Sequence, residues 1–240
     1  MRHIRTVTAI LAVGLLTVGC GGSEDGNGGS GTQSSAEAGN SKSDQSDQSG
    51  ESGRAEEGER LPVVVESPAG EPVGTSPTIS PSPARDADFT EKVIHELRKR
   101  TVRMAGAMGS TSGSCEGGEI TLKAKAATEC TVAYADVEIP WTVTISDSYK
   151  EGSFFIQYNA EPGKGLLTGE GVRAKLWEDN HRYSEEMRCE ELPEAEVVDL
   201  DADTGHKCQI VNKRSDGSGE YTVDMAVKVN PRGPSFDRLR

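Results

Sequence analysis

The chain has 240 residues, a formal net charge of -13, and a composition that is 34% hydrophobic and 5% aromatic with 28 glycines. These proportions exclude a single core built from the whole length, because too little apolar surface is available to offset the entropy of ordering it. The acidic balance and the lack of a long basic run also argue against a nucleic-acid partner, which requires cations that displace counterions from phosphates.

Residues 1–19 have the features of a signal peptide. Arg2 and Arg5 precede an apolar run, Val7 to Leu16, which is shorter than the roughly 20 residues of a membrane-spanning helix. The segment Leu16-Thr17-Val18-Gly19-Cys20 resembles the bacterial lipobox, whose cysteine carries a diacylglycerol group. The resemblance implies a lipid on Cys20 that anchors the protein to the cell membrane, facing the extracytoplasmic side.

Residues 20–86 are predicted to form a disordered tether. Gly, Ser, Glu, Asp and Gln dominate its first part, and six prolines between Leu61 and Pro83 favour a stiffer, extended second part. Val63-Val64-Val65 is an exception that fits either a short strand or a docking segment.

Residues 87–240 contain an internal repeat of a helix, two cysteines and strands. The first helix begins at a cap on Asp88 or Thr90 and ends in the run Gly109 to Gly113. The second begins at a cap on Thr168. Apolar stripes at helical spacing support both helices: Val93, Leu97, Thr101, Met104 and Met108 in the first, and Val172, Leu176, Asn180, Tyr183 and Met187 in the second.

Alternating apolar and polar residues predict antiparallel strands in both copies. Trp141 to Ile145 and Tyr221 to Val229 alternate, and the turn residues Ser215 to Gly219 predict a hairpin before the second run. Phe154 to Tyr158 is predicted to be a further strand. The predicted fold class is α+β, with two small modules in tandem, each a helix packed on an antiparallel sheet.

The chain has 5 cysteines, and a lipid on Cys20 accounts for the odd one. The other four, Cys115, Cys130, Cys189 and Cys208, allow three sets of disulfides in an oxidising compartment. The repeat favours Cys115 with Cys130 and Cys189 with Cys208. Cys-x-x-Cys spacing, which zinc and redox centres use, does not occur.

Each copy resembles the small actinobacterial module called domain-of-unknown-function family forty-three thirty-three, in which a helix precedes a cysteine, a Leu-Pro-like turn, a glycine, a second cysteine and strands. The second copy matches in Cys189-Glu190-Glu191-Leu192-Pro193, Gly205 and Cys208; the first matches in Cys115-Glu116-Gly117-Gly118 and Cys130. The resemblance implies modules at 87–162 and 163–240, occurrence in exported and membrane-attached proteins, and no assigned activity.

Other candidate sites are weaker. Asp199, Asp201 and Asp203 have the alternate spacing of calcium ligands, but Thr204 and Ile210 occupy positions where a calcium loop requires Gly and Glu. His95, His181 and His206 are scattered, with no partner spaced for catalysis. Arg98-Lys99-Arg100 fits a solvated helix face better than a binding patch.

These observations favour a non-enzymatic interaction module in the cell envelope, with no cofactor. The expected partners are the membrane, through the lipid on Cys20, and an envelope protein or cell-wall component. The alternative is a carrier of a small ligand or ion, using a pocket between helix and sheet or the Asp199 to Asp203 loop. A flat exposed apolar patch would favour the first function, and a closed apolar cavity with converging polar groups the second.

Overall fold

The computed structural model describes residues 59–70 and 73–239. The predicted signal peptide, the lipidation residue Cys20 and the tether up to residue 58 lie outside the described residues.

The described chain forms two helices and eleven strands. The helices are α1 (Phe89–Ala105) and α2 (Gly169–Asn180). The strands are β1 (Val63–Val64), β2 (Thr111–Cys115), β3 (Ala127–Tyr134), β4 (Val137–Ile145), β5 (Tyr158–Pro162), β6 (Gly165–Leu167), β7 (Glu186–Cys189), β8 (Glu196–Val198), β9 (Asp203–Lys213), β10 (Glu220–Asn230) and β11 (Gly233–Arg238).

The strands form two larger sheets in which all neighbours are antiparallel. The first has the order β2-β3-β4-β5, and the second has the order β1-β7-β9-β10-β11. Strands β6 and β8 form a separate antiparallel pair. Two helices with antiparallel sheets confirm the predicted α+β class. We call residues 87–162 the first half and residues 163–239 the second half. In each half a helix precedes a disulfide-linked pair of neighbouring strands and two further strands; in the second half β8 lies between the linked strands β7 and β9 in the chain.

Helix α1 begins and ends where local chemistry requires it. The Asp88 carboxylate accepts a hydrogen bond from the Glu91 main-chain N–H at 2.8 Å, and Gly106 ends the helix with a φ of 67°. The predicted stripe is buried at Val93, Leu97, Thr101 and Met104. Met108 lies beyond the helix end and is 56% exposed, so its predicted place in the stripe is wrong. Residues 111–113, predicted as part of a terminal turn, belong to β2.

Helix α2 is shorter than its sequence stripe predicted. Thr168 caps it, accepting a hydrogen bond from the Gly171 N–H at 3.0 Å, and the last helical residue is Asn180. Tyr183, beyond this end, is 82% exposed, and Met187 is buried in β7. The helical spacing of these last two residues was therefore misleading.

The two halves share one hydrophobic core. Leu97 and Trp141 from the first half belong to the same buried cluster as Leu176 and Val227 from the second. At the junction the Thr168 hydroxyl donates to the main-chain oxygen of Ala105, the last residue of α1, at 2.7 Å. The described residues accordingly belong to one compact unit.

Part of the predicted tether belongs to this fold. Val63 and Val64 form β1 at the edge of the second sheet, paired with Cys189 and Arg188 of β7, and Val65 is buried. Of the two alternatives for this valine run, the short strand is confirmed. The prediction of disorder up to Asp86 is wrong for the described residues from 59 onward, because this chain gains both strand pairing and apolar burial.

The proline-rich segment 73–86 follows the surface of α1. Its Ile79 and Pro77 side chains are buried. The Arg98 guanidinium donates to the Ser80 oxygen at 2.8 Å, and the Lys99 ammonium donates to the Ser76 hydroxyl at 3.0 Å. Two side chains of the basic triplet therefore hold this segment against the helix, a role that neither sequence interpretation anticipated.

Among residues 59–70 and 73–239, no helix is both long and apolar enough to cross a membrane.

Candidate functional site

The four described cysteines form the two predicted disulfides. Cys115 lies opposite Cys130 in the pairing of β2 with β3, and Cys189 lies opposite Cys208 in the pairing of β7 with β9. All four are buried. The cysteines therefore join neighbouring strands inside the core, as the repeat favoured.

The acidic loop is held by contacts within the chain. Asp199 forms an ion pair with the Lys164 ammonium, and the Asp203 carboxylate accepts the Gly205 N–H at 2.8 Å. Asp201 adopts a positive φ of 58°. Within the described ranges, no group of three or more His, Cys, Asp or Glu side chains is placed to hold a metal ion, so the structure does not bring Asp199, Asp201 and Asp203 together as ligands.

The three histidines lie apart and have different surroundings. His206 is 2.9 Å from the Glu196 carboxylate, and His181 stacks on Trp177 with ring centroids 5.4 Å apart. The His95 Nδ1 atom is buried and has no hydrogen-bond partner among the described residues. Burial, followed by the nearby charges of Arg98 and Lys99, lowers the pKa of His95 below its ordinary value.

The most exposed apolar feature is the loop 146–157, which joins β4 to β5. The prediction of a strand from Phe154 to Tyr158 is wrong, because strand pairing begins only at Tyr158, opposite Ile145. Inside the loop, the Ser153 N–H donates to the Lys150 oxygen at 3.0 Å, and Gly152 has a φ of 76°. A positive φ at the third position of such a turn favours glycine, so the sequence itself specifies this bend.

Phe154 and Phe155 follow this turn and point into solvent. They are 90% and 81% exposed, and their rings meet edge to face with centroids 4.9 Å apart. Tyr149 and Ile156, on either side of them, pack partly against the core. The loop is thus fixed at its base and presents an apolar pair at its tip. We call Phe154 and Phe155 the aromatic tip.

The loop lies at the end of the first half that is remote from the second half. The ring of Tyr158, just after the loop, contacts the ring of Phe89 at the start of α1, with centroids 5.6 Å apart. The second half instead meets the other end of α1, at Ala105. The fold therefore leaves the aromatic tip uncovered by the described part of the chain.

A second surface feature is a groove of about 500 Å³ near the junction of the halves. It lies between the C-terminal end of α1, one face of α2, the turn that joins β10 to β11, and residues 73–75. The polar side chains of its lining are Thr75, Arg103, Lys175, Glu178 and Arg232. The groove is open to solvent and carries charge, so it is not the closed apolar cavity that would identify a carrier.

Sequence reasoning missed both features. A signal for the aromatic tip was present, because two consecutive phenylalanines cannot both face the core from one strand, and Gly152 precedes them. The groove has no comparable signal, because residues far apart in the sequence form it.

No protein-family model, curated protein or solved structure matches the chain.

Proposed function

We propose that the protein is a non-enzymatic interaction module of the cell envelope, anchored through a lipid on Cys20, whose aromatic tip contacts an envelope protein or cell-wall component. The observation that carries this proposal is the exposure of both Phe154 and Phe155, at 90% and 81%. Adjacent aromatic side chains that a well-formed core leaves in solvent are typical of a contact surface.

The aromatic tip has enough apolar surface to matter for binding. Burying a phenylalanine side chain is worth about 1.5–3 kcal/mol, so the pair offers roughly 3–6 kcal/mol before the costs of association. Their edge-to-face packing and the turn at Gly152 restrict the two rings before a partner arrives. Such restriction lowers the entropy lost on binding.

Two further observations support the proposed location and organisation. Buried disulfides suit an oxidising compartment outside the cytoplasm, which is where a lipobox cysteine would place the chain. We also infer that residues 87–162 and 163–240 are two copies of one module, of the kind the resemblance implies. The support is the shared sheet order after each helix, in which a disulfide-linked strand pair is followed by two more strands; β8, inserted between β7 and β9, is the difference in the second copy.

The proposal can be tested by photo-crosslinking in cells. The full-length protein is expressed with benzoyl-phenylalanine at position 155 or, as the matched control, at position 183, because Tyr183 is 82% exposed but lies in the second half. We expect an adduct with an envelope protein or wall fragment from position 155 that position 183 does not give. Identical adduct patterns from the two positions would contradict the proposal.

A second experiment measures affinity for the crosslinked component. The double variant Phe154→Ser/Phe155→Ser should weaken binding at least 10-fold, because the apolar gain at the tip is lost. Tyr183→Ser should leave binding within twofold. Both variants should keep the parent melting temperature, since none of the three side chains is part of the core. Unchanged binding by the double variant would show that the contact surface lies elsewhere.

A further inference from the structure

We propose that the groove at the junction of the two halves binds an organic anion, with its phosphate or carboxylate group held by Arg103 and Arg232 and a compact apolar body against the groove floor. This inference is independent of the aromatic tip, which lies at the other end of α1.

The floor of the groove is formed by backbone that comes unusually close together. A Cβ atom on Gly106 would lie 3.1 Å from the Gly171 Cα and 3.3 Å from the Pro234 Cδ. A Cβ on Gly233 would lie 3.4 Å from the Arg103 main-chain oxygen. The glycines therefore let α1, α2 and the β10–β11 turn meet in a narrow floor, with larger side chains only at its rim.

The rim carries net positive charge in an otherwise acidic protein. Lys175 is neutralised by its own helix, because its ammonium lies 3.1 Å from Glu178 and 2.7 Å from Asp179. Arg103 and Arg232 remain, and in the part of the chain that the structure describes neither guanidinium pairs with a carboxylate. Two unneutralised guanidinium groups facing one groove favour an anionic ligand.

One of these groups has a donor that needs a partner. The Arg103 Nη1 donates to the Thr75 oxygen at 3.3 Å, but its Nε–H is buried and has no acceptor among the described residues. A buried donor without an acceptor is costly, and an anionic oxygen would satisfy it once a small rotation of the Arg103 side chain turns Nε towards the groove. The arrangement points to an oxyanion group, a tetrahedral phosphate or a planar carboxylate, that pairs with the Arg103 guanidinium.

The size and lining of the groove indicate the rest of the ligand. A volume of about 500 Å³ exceeds that of an inorganic ion and falls within the range of small-molecule sites. Val73, Ala174 and Pro234 line it together with the glycine backbone, and these groups contact an apolar body well. Phosphate monoesters and aromatic or short-chain carboxylates combine an anionic group with a compact apolar body. They occur as free molecules or as lipid headgroups.

Nuclear magnetic resonance can observe the Arg103 Nε–H directly. The ¹H–¹⁵N arginine signals of the disulfide-bonded chain from residue 21 onward are recorded with phenyl phosphate, inorganic phosphate, and benzyl alcohol as the neutral analogue. The Arg103 signal is assigned by its loss in Arg103→Lys. We expect phenyl phosphate to shift it saturably, inorganic phosphate to bind more weakly, and benzyl alcohol to cause no shift. Monomeric dihexanoyl phosphatidic acid, as a fourth probe, distinguishes the sources: tighter binding than phenyl phosphate assigns a lipid headgroup, and weaker binding a free anion.

Variants on either side of the groove provide the controls. Arg232→Gln should weaken phenyl phosphate binding about 10-fold, whereas Arg100→Gln, one turn earlier on α1 and bonded to Glu96 and the Ala160 oxygen, should change it less than twofold. Glu71→Gln tests whether a carboxylate of the chain itself interacts with Arg103, because Glu71 lies two residues before Val73 in the sequence. The proposal is overturned if phenyl phosphate does not shift the Arg103 signal, whether or not Glu71→Gln shifts it. It is also overturned if Arg232→Gln and Arg100→Gln have equal effects.

Discussion

Replacing Gly171 with alanine tests the junction between the two halves. Helix propensity alone predicts a gain, because alanine is more stable than glycine within a helix by up to about 1 kcal/mol. The packing predicts the opposite. A Cβ on Gly171 would lie 1.9 Å from the Ala105 main-chain oxygen, which is backbone and cannot swing aside. The helices must separate at the point where they are closest.

The magnitude follows from what this separation breaks. The Thr168 hydroxyl donates to the same Ala105 oxygen at 2.7 Å, and losing a buried hydrogen bond of this kind costs about 1–3 kcal/mol. Overpacking costs about 1–3 kcal/mol more. After the helix gain is subtracted, we expect a loss of about 3 kcal/mol, which for a folded unit of this size lowers the melting temperature by about 6–12 °C.

Thermal unfolding followed by circular dichroism measures this loss. Gly70→Ala is the control, because a Cβ at Gly70 has no atom within 4 Å. Thr168→Ala removes the same hydrogen bond without the clash, so the Thr168→Ala/Gly171→Ala double variant should lose less than the sum of the two single effects. A Gly171→Ala protein as stable as the Gly70→Ala protein would refute the close packing of the halves.

Three further predictions concern the Cys189–Cys208 disulfide, the tether and the partly buried His95. Replacing Cys189 and Cys208 with serine should cost about 3 kcal/mol in chemical denaturation, because a closed loop of 19 residues is released; no change under oxidising conditions would contradict this. Deleting residues 21–58 should leave the melting temperature unchanged. Deleting residues 21–66 should lower it, because Val65 is buried and β1 pairs with β7. Equal melting temperatures for the two deletions would show that β1 adds no stability. The lowered pKa of His95 means that the unfolded chain takes up this proton first as the pH falls below about 6.5, so stability should decrease from pH 7 to pH 5. His95→Gln should flatten that decrease in melting temperature, and parallel curves for the two proteins would exclude this cause.

Much of the fold could be predicted because local signals and tertiary packing agree there. Asp88 and Thr168 cap their helices as expected, and Trp141, Val143 and Ile145 alternate into the core as their spacing indicates. The disulfides follow from the repeat, since each joins the first strand after a helix to the strand that pairs with it in the sheet. At these positions a few residues that are neighbours in the sequence determine the local structure.

The errors occurred where tertiary contacts decide the outcome. Met108 and Tyr183 continue a helical spacing, but the last helical residues are Ala105 in α1 and Asn180 in α2, so neither side chain reaches the core. Proline-rich chain was expected to be disordered, yet Arg98 and Lys99 bind its main chain and side chains from α1. The groove combines Arg103 with Arg232, which are 129 positions apart in the sequence, so no local pattern could reveal it.

The attachment of the tether determines how a pull from the membrane would reach the fold. The chain enters the folded unit beside Arg60, which forms ion pairs with Glu186 and Glu220, and next along the chain is β1, in which Val63 pairs with Cys189. Cys189 is itself joined to Cys208 on β9, so a load on β1 passes directly into a covalently linked strand pair. The aromatic tip lies in the other half, beyond the shared core. If Cys20 is lipidated and the tip binds a partner, tension between membrane and partner crosses the junction at Ala105 and Thr168. The close packing at Gly171 lies at that junction, so it would bear part of the load that the proposed function applies.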